Sequence, residues 1–157
     1  MARITVNETG TQPVLEISTD VANVANAPLS VICLQDITIT NSTGVYSYTD
    51  FCNTDMQKLP TPADNEISTN IVIDGENWFG NSGAGNTTAA YFGVSSLSIN
   101  KTPLSFKIYW NGTANGAYYT EGTGFITSLA PTVNPEAPVW VSPMTLAVDG
   151  SMTNGTV

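Results

Sequence analysis

Alternation of apolar and polar positions is the most regular feature of this chain, and it recurs from end to end. In LSFKIYW, Leu104, Phe106, Ile108 and Trp110 fall on one face of a strand, while Ser105, Lys107 and Tyr109 fall on the other. In EISTNIVID, Ile67, Ile71 and Ile73 share a face with Thr69. The same period predicts strands over Val14 to Thr19, Gly124 to Leu129 and Val139 to Val148. Turn formers (NSTG, NGTANG, PTVNPEAP) punctuate these runs, so the pattern predicts a mainly β, antiparallel protein. Pro143 lies inside the last run and lacks the ladder donor. It predicts an edge, a bulge or a split there.

One segment has the helical period instead. After Asn86 as cap, Ala90, Tyr91, Val94 and Leu97 lie on one face, which predicts a short helix over about 86–99. Gly93 weakens it by about 1 kcal/mol relative to alanine, and Pro103 stops it from continuing.

The run VICLQDITITNSTGVYSYTDFC reads as a hairpin between the two cysteines. With Ser42 and Thr43 as the loop, Ile39 meets Tyr46, Ile37 meets Tyr48 and Cys33 meets Cys52, all on one apolar face. That register brings the two cysteines within disulfide reach. Ser-Thr is a poor sequence for the tight turn, however, and a reducing compartment favours two small buried thiols. No Cys33–Cys52 disulfide is therefore expected.

Composition narrows the function. The 157 residues suffice for one domain with a real core, and 41% are hydrophobic. Only 11% are charged, so the polar surface must be built from Thr, Ser, Asn and Gly. Such a surface suits β-structure and is cheap to cover with a neighbour. The four cations, Arg3, Lys58, Lys101 and Lys107, face 13 acids, for a net charge of -9. Tight binding of nucleic acid needs cations against phosphates, which argues against that function. A negative surface does let DNA pass without sticking. The sequence begins with no signal-peptide pattern and contains no stretch long and apolar enough to span a membrane.

Candidate chemistry is thin. With no histidine, the commonest general base and zinc ligand is missing. GNSGAGNT places Gly80, Gly85 and Thr87 at phosphate-loop spacing, but Asn86 stands where the essential lysine belongs. It reads as a glycine loop leading to a helix cap. The pairs Asp64/Glu66 and Asp74/Glu76 each fall on one strand face and suggest an acidic wall more than a catalytic dyad. No enzyme, cofactor or metal site is expected. Asn-x-Ser/Thr triplets such as those at Asn41 and Asn111 follow from composition. Trp78, Trp110, Tyr118, Tyr119 and Trp140 keep open a carbohydrate-binding or adhesin-like β-sandwich.

The order of segments resembles that of siphophage major tail (tail tube) proteins. CLQDITIT and VYSYTDF are followed by a polar loop and then EISTNIVIDGENWF. After them come TTAAYFGVSSLS, PLSFKIYW, YYTEGTGFITSL and PTVNPEAPVWVSPMTLAVDGSM. The resemblance covers about Leu29 to Ser151 and rests on strand and turn patterns. The scarcity of lysine and arginine, and Pro143 in the closing strand, depart from it.

The resemblance implies an antiparallel β-sandwich or partly rolled barrel with one short flanking α-helix. It divides the chain into an N-terminal arm (1–12), one domain (13–150) and a C-terminal tail (151–157). It implies hexameric rings stacked into a β-lined, acidic tube that passes DNA, assembled in the host cytoplasm into the tail of a virion. The partners implied are further copies of the chain, tape measure, tail terminator and distal tail proteins, and no membrane. Contacts between rings are expected from the loop Phe51–Ala63, with Phe51, Asn53, Asp55, Met56, Lys58 and Leu59 as candidates, and from both termini. Asp36, on the polar face of the opening hairpin with Thr49, is the candidate lumen acid. A tail-terminator-like ring protein is the other virion reading.

Overall fold

A computed structural model describes residues 12–31, 34–49 and 55–157. Seven antiparallel strands form one sheet, with β1 at Val14–Ser18, β2 at Leu29–Val31, β3 at Leu34–Tyr48 and β4 at Gln57–Val72. They are followed by β5 at Leu104–Tyr109, β6 at Tyr118–Leu129 and β7 at Val141–Thr156. The order across the sheet is β2-β1-β5-β6-β7-β4-β3, so it does not close into a barrel. Two helices, α1 (Gly75–Phe79) and α2 (Ala89–Ile99), connect β4 to β5.

The alternating runs form strands as their period predicts. Leu104, Phe106 and Ile108 are fully buried, as are Leu15, Ile17, Ile126 and Leu146, and each such side chain contributes about 1.5–3 kcal/mol by leaving water. They join Ile67, Ile71, Trp78, Val94 and Leu97 in a single cluster. To share one core, strands this far apart in the order need a curved sheet. The β6–β7 pair supplies curvature through two register shifts, one with extra residues in β7 after Glu121 and one with an extra residue in β6 after Ile126. Lys101 holds the second shift, its Nζ donating to the carbonyls of Ile126 (3.1 Å) and Thr127 (2.9 Å).

Four expectations are corrected. First, no turn forms at Ser42-Thr43: β3 runs unbroken to Tyr48, and Ile39 faces Ile67 while Tyr46 faces Leu59. A two-residue turn needs positive φ, which Ser-Thr resists, whereas flanking β-branched and aromatic residues favour extension. The register that would have paired the cysteines therefore does not form; Cys33 and Cys52 themselves lie outside the described residues.

Second, the expected polar loop is partly strand, since β4 begins at Gln57 and includes Pro60 and Pro62. Among the described residues, that stretch has β3 on one edge and no strand on the other, which is where a sheet tolerates proline.

Third, the helix begins at Ala89, not Asn86. Thr88 is its cap, accepting from the Tyr91 N–H at 3.3 Å. Gly93 is non-helical (φ 69°), so the phase slips and Ala89 is buried where Tyr91 is exposed. The short α1 was missed because GENWF is too brief to show a period.

Fourth, Pro143 sits in a central strand, which it neither ends nor splits. Its carbonyl accepts from the Ala130 N–H (3.3 Å). In a strand, a residue's N and O point to the same side, so its missing donor points past the end of β6 and leaves the β4 ladder intact. The closing residues that read as a polar tail form the outer half of β7 as far as Thr156.

Candidate assembly interface

Strands β3 and β4 are much longer than the sheet that supports them. β4 pairs with β7 only over Asn65–Val72. Beyond Asn65, Asn41–Tyr48 and Gln57–Asp64 continue as a two-stranded ribbon. A lone ribbon is marginal in water. This one also exposes its apolar residues: Val45 59%, Tyr46 61%, Met56 61% and Leu59 52%.

Register sorts the ribbon into two faces. Ile37 and Ile39 pack against the core, and Asn41, Thr43, Val45 and Ser47 continue their side by alternation. Tyr46 and Tyr48 lie on the opposite side, stacked with ring centroids 6.1 Å apart, beside Leu59 and Gln57. The expectation that both tyrosines share the face of Ile37 and Ile39 is thus overturned. Parity alone reveals this once Gly44 is read as strand, because 37 and 39 are odd and 46 and 48 even.

The outward face continues across four strands. Thr38, Ser68, Thr145 and Ser128 form one row, and Thr40, Glu66, Ala147 and Phe125 form another. Asp64, opposite Ser42, lies on the same side as Glu66, as the two-residue spacing predicts. Lys58 pairs with Ser47 and so projects from the other side. Within the described β3, β4 and β7, then, this face carries acids and hydroxyls and no cation.

Asp36 is exposed near the start of β3, in the part of the sheet where β4 also pairs with β7, and β3 gains one residue relative to β4 between Leu34 and Asp36. Its carboxylate accepts from the main-chain N–H and the side-chain amide of Asn70. Asp55, Met56, Lys58 and Leu59 are all exposed at the tip end of the ribbon. Phe51 and Asn53 lie outside the described residues. Asp74 and Glu76 do not form a strand-face pair, because α1 begins between them.

Two other side-chain clusters lie elsewhere in the fold. Trp78 is in the core and Trp110 is partly buried, its Nε1 donating to Thr120 (3.0 Å). Trp140 is exposed but tied to the Asn134 carbonyl (3.1 Å), so the three tryptophans form no single platform. Further across the same outward face, at β5, Lys107 pairs with Glu121 (3.2 Å) and lies 3.6 Å from the Tyr119 ring centroid. Beside it, burial first and then Glu16 push the Tyr109 phenol up to about 12. No cluster of metal-ligating side chains occurs among the described residues.

No family model and no curated protein sequence matches the chain. Solved structures do. A chain from the tail of an empty gene transfer agent particle, refined with C6 symmetry, aligns with a TM-score of 0.59 at 12% identity, covering 88% of this chain and 93% of that one. The fold is the tail-tube fold. The SPP1 tail tube aligns at 0.58 and 12% identity over 94% of this chain and 78% of that one. The sheath–tube complex of an extracellular contractile injection system aligns at 0.58 and 14% identity, over 94% and 90%. The tail-tube fold thus spans most of this chain.

Proposed function

We propose that this chain is the repeating subunit of a bacteriophage tail tube, assembling into hexameric rings that stack into a conduit for DNA. The observation that carries the reading is the ribbon: a two-stranded projection with exposed apolar groups on both faces needs a second copy to cover it. Asp55, Met56, Lys58 and Leu59 at its tip make contacts between rings, together with Phe51, Asn53 and the two termini. The hydroxyl face, free of cations across the described β3, β4 and β7, lines the channel, and Asp36, Asp64 and Glu66 give it negative potential. DNA then slides because no contact holds its phosphates.

The protein works by assembly, without a chemical step. Tape measure, tail terminator and distal tail proteins complete the structure, which is built in the host cytoplasm and ends in the virion of a siphovirus. Negative-stain microscopy of the purified protein tests this. Long tubes of constant width with sixfold rings are expected; monomers over a wide concentration range sink the reading. Lysine in place of Asp36, Asp64 and Glu66 should leave assembly intact and slow DNA ejection.

A further inference from the structure

Strands β4 and β7 part company where their pairing stops. Among the described residues, β4 runs outward over Gln57–Asp64 with only β3 beside it, and β7 runs outward over Asp149–Thr156 with only β6 beside it. The two unpaired inner edges border a groove of about 890 Å³. Ile39, Ala63, Trp110 and Met152 give it apolar walls, and Asn41 and Asn154 supply amides. The β4 edge carries Pro60 and Pro62, which offer no N–H, so the β7 edge is the one that an added strand can pair with, the β4 side serving as a wall of the apolar slot.

The chain has a segment of matching pattern outside the described residues. Eleven residues precede Gln12, and ARITVN alternates Ala2, Ile4 and Val6 with Arg3, Thr5 and Asn7. Where that segment joins the domain is also known. Val14 pairs with Tyr109, next to Trp110 at the groove's rim. β1 has β2 on one edge and β5 on the other, so the arm cannot extend the sheet alongside β1. Pro13 favours an extended Gln12, which directs the chain onward beyond its own strand end. Eleven extended residues span roughly 36 Å, enough to reach a neighbour.

We infer that residues Ala2–Asn7 of one copy insert as a strand into the β4–β7 groove of a neighbouring copy, with Ile4 and Val6 against Trp110 and Met152. The inference rests on the chain being a self-assembling subunit. It makes the groove a socket that is filled only on assembly, so that the arm links one copy to the next.

The test is a cross-link between two populations, both carrying Cys33→Ser and Cys52→Ser. One bears Ile4→Cys and the other Met152→Cys, or the exposed Asn154→Cys should the partly buried Met152 not tolerate change. Mixed and assembled, they should give a disulfide-linked heterodimer on a non-reducing gel, while Ile4→Cys with Thr38→Cys on the opposite face should not. Deleting residues 2–7 should raise the assembly concentration at least tenfold and leave the monomer's melting temperature unchanged. Absence of the mixed cross-link overturns the inference. So does intramolecular closure of an Ile4→Cys/Met152→Cys chain in dispersed monomers. Tubes seen by microscopy without the mixed cross-link sink this inference alone; failure to assemble at any concentration sinks the tube reading itself.

Discussion

Gly80 and Gly93 bring the main chains of the two helical segments into direct contact. A Cβ on Gly80 would overlap the carbonyl of Tyr91, and one on Gly93 would overlap the main chain of Phe79 and Gly80. Both residues have positive φ, 88° and 69°. The contact is fastened by the Asn81 N–H donating to the Ala90 carbonyl at 2.8 Å. Gly93→Ala combines left-handed strain with overpacking against main chain that cannot move aside, a cost of roughly 3 kcal/mol. Melting should fall by roughly 6–12 °C for a domain of this size. Gly75→Ala, with open space around its Cβ, should change stability by less than about 0.5 kcal/mol. Equal losses for both variants would show that the helix contact does not matter.

The Asp36–Asn70 clasp ties the start of β3 to β4. The carboxylate accepts from the Asn70 N–H at 2.8 Å and from its Nδ2 at 2.7 Å, across the added residue in β3. The Asp36 carbonyl also accepts from the Thr69 hydroxyl. Because the site is exposed, Asp36→Ala should cost about 1 kcal/mol, and Asp36→Asn about half as much. Urea titration measures both, and the slope of the transition should not change.

Most strands were legible in the sequence because one face of each is buried. Leu104, Phe106 and Ile108 show their period since the core demands it. The ribbon was misread for the converse reason. Neither of its faces is buried by the described residues, so no such burial disciplines the pattern of its strands, and a local turn signal, NSTG, outweighed it. The exposed Tyr46, Tyr48 and Leu59 were visible as apolar residues, but nothing among the described residues covers them. The slip in α2 is of another kind: Gly93 was read as a weak helical residue, whereas its role depends on Gly80, thirteen positions earlier in sequence.

If the ribbon is an assembly surface, its apolar groups should govern association and not folding. Tyr46→Thr and Leu59→Thr keep β-propensity on an exposed ribbon, so the melting temperature of the dispersed chain should move little. Each removes apolar area that a second copy would cover, worth about 1–2 kcal/mol. The concentration needed for assembly, followed by light scattering, should rise about tenfold for each variant. Unchanged assembly in the double variant would place the contact elsewhere.

Tyr109 gives the fold an alkaline signature. Its phenol is raised to about 12, first by burial and then by the nearby Glu16, with Glu121 and Tyr119 adding to the effect. A raised phenol means that the folded chain keeps a proton which the unfolded chain loses near the ordinary value of about 10. The stabilisation is therefore complete below pH 10 and declines as pH rises from about 10 to 12. Absorbance of tyrosinate should show one of the six tyrosines ionising last, and Tyr109→Phe should remove that step. Glu16→Gln should lower the midpoint without restoring it to the ordinary value, because burial is the larger cause. A late step that survives Tyr109→Phe would mean that another tyrosine, not the one beside Glu16, holds its proton longest.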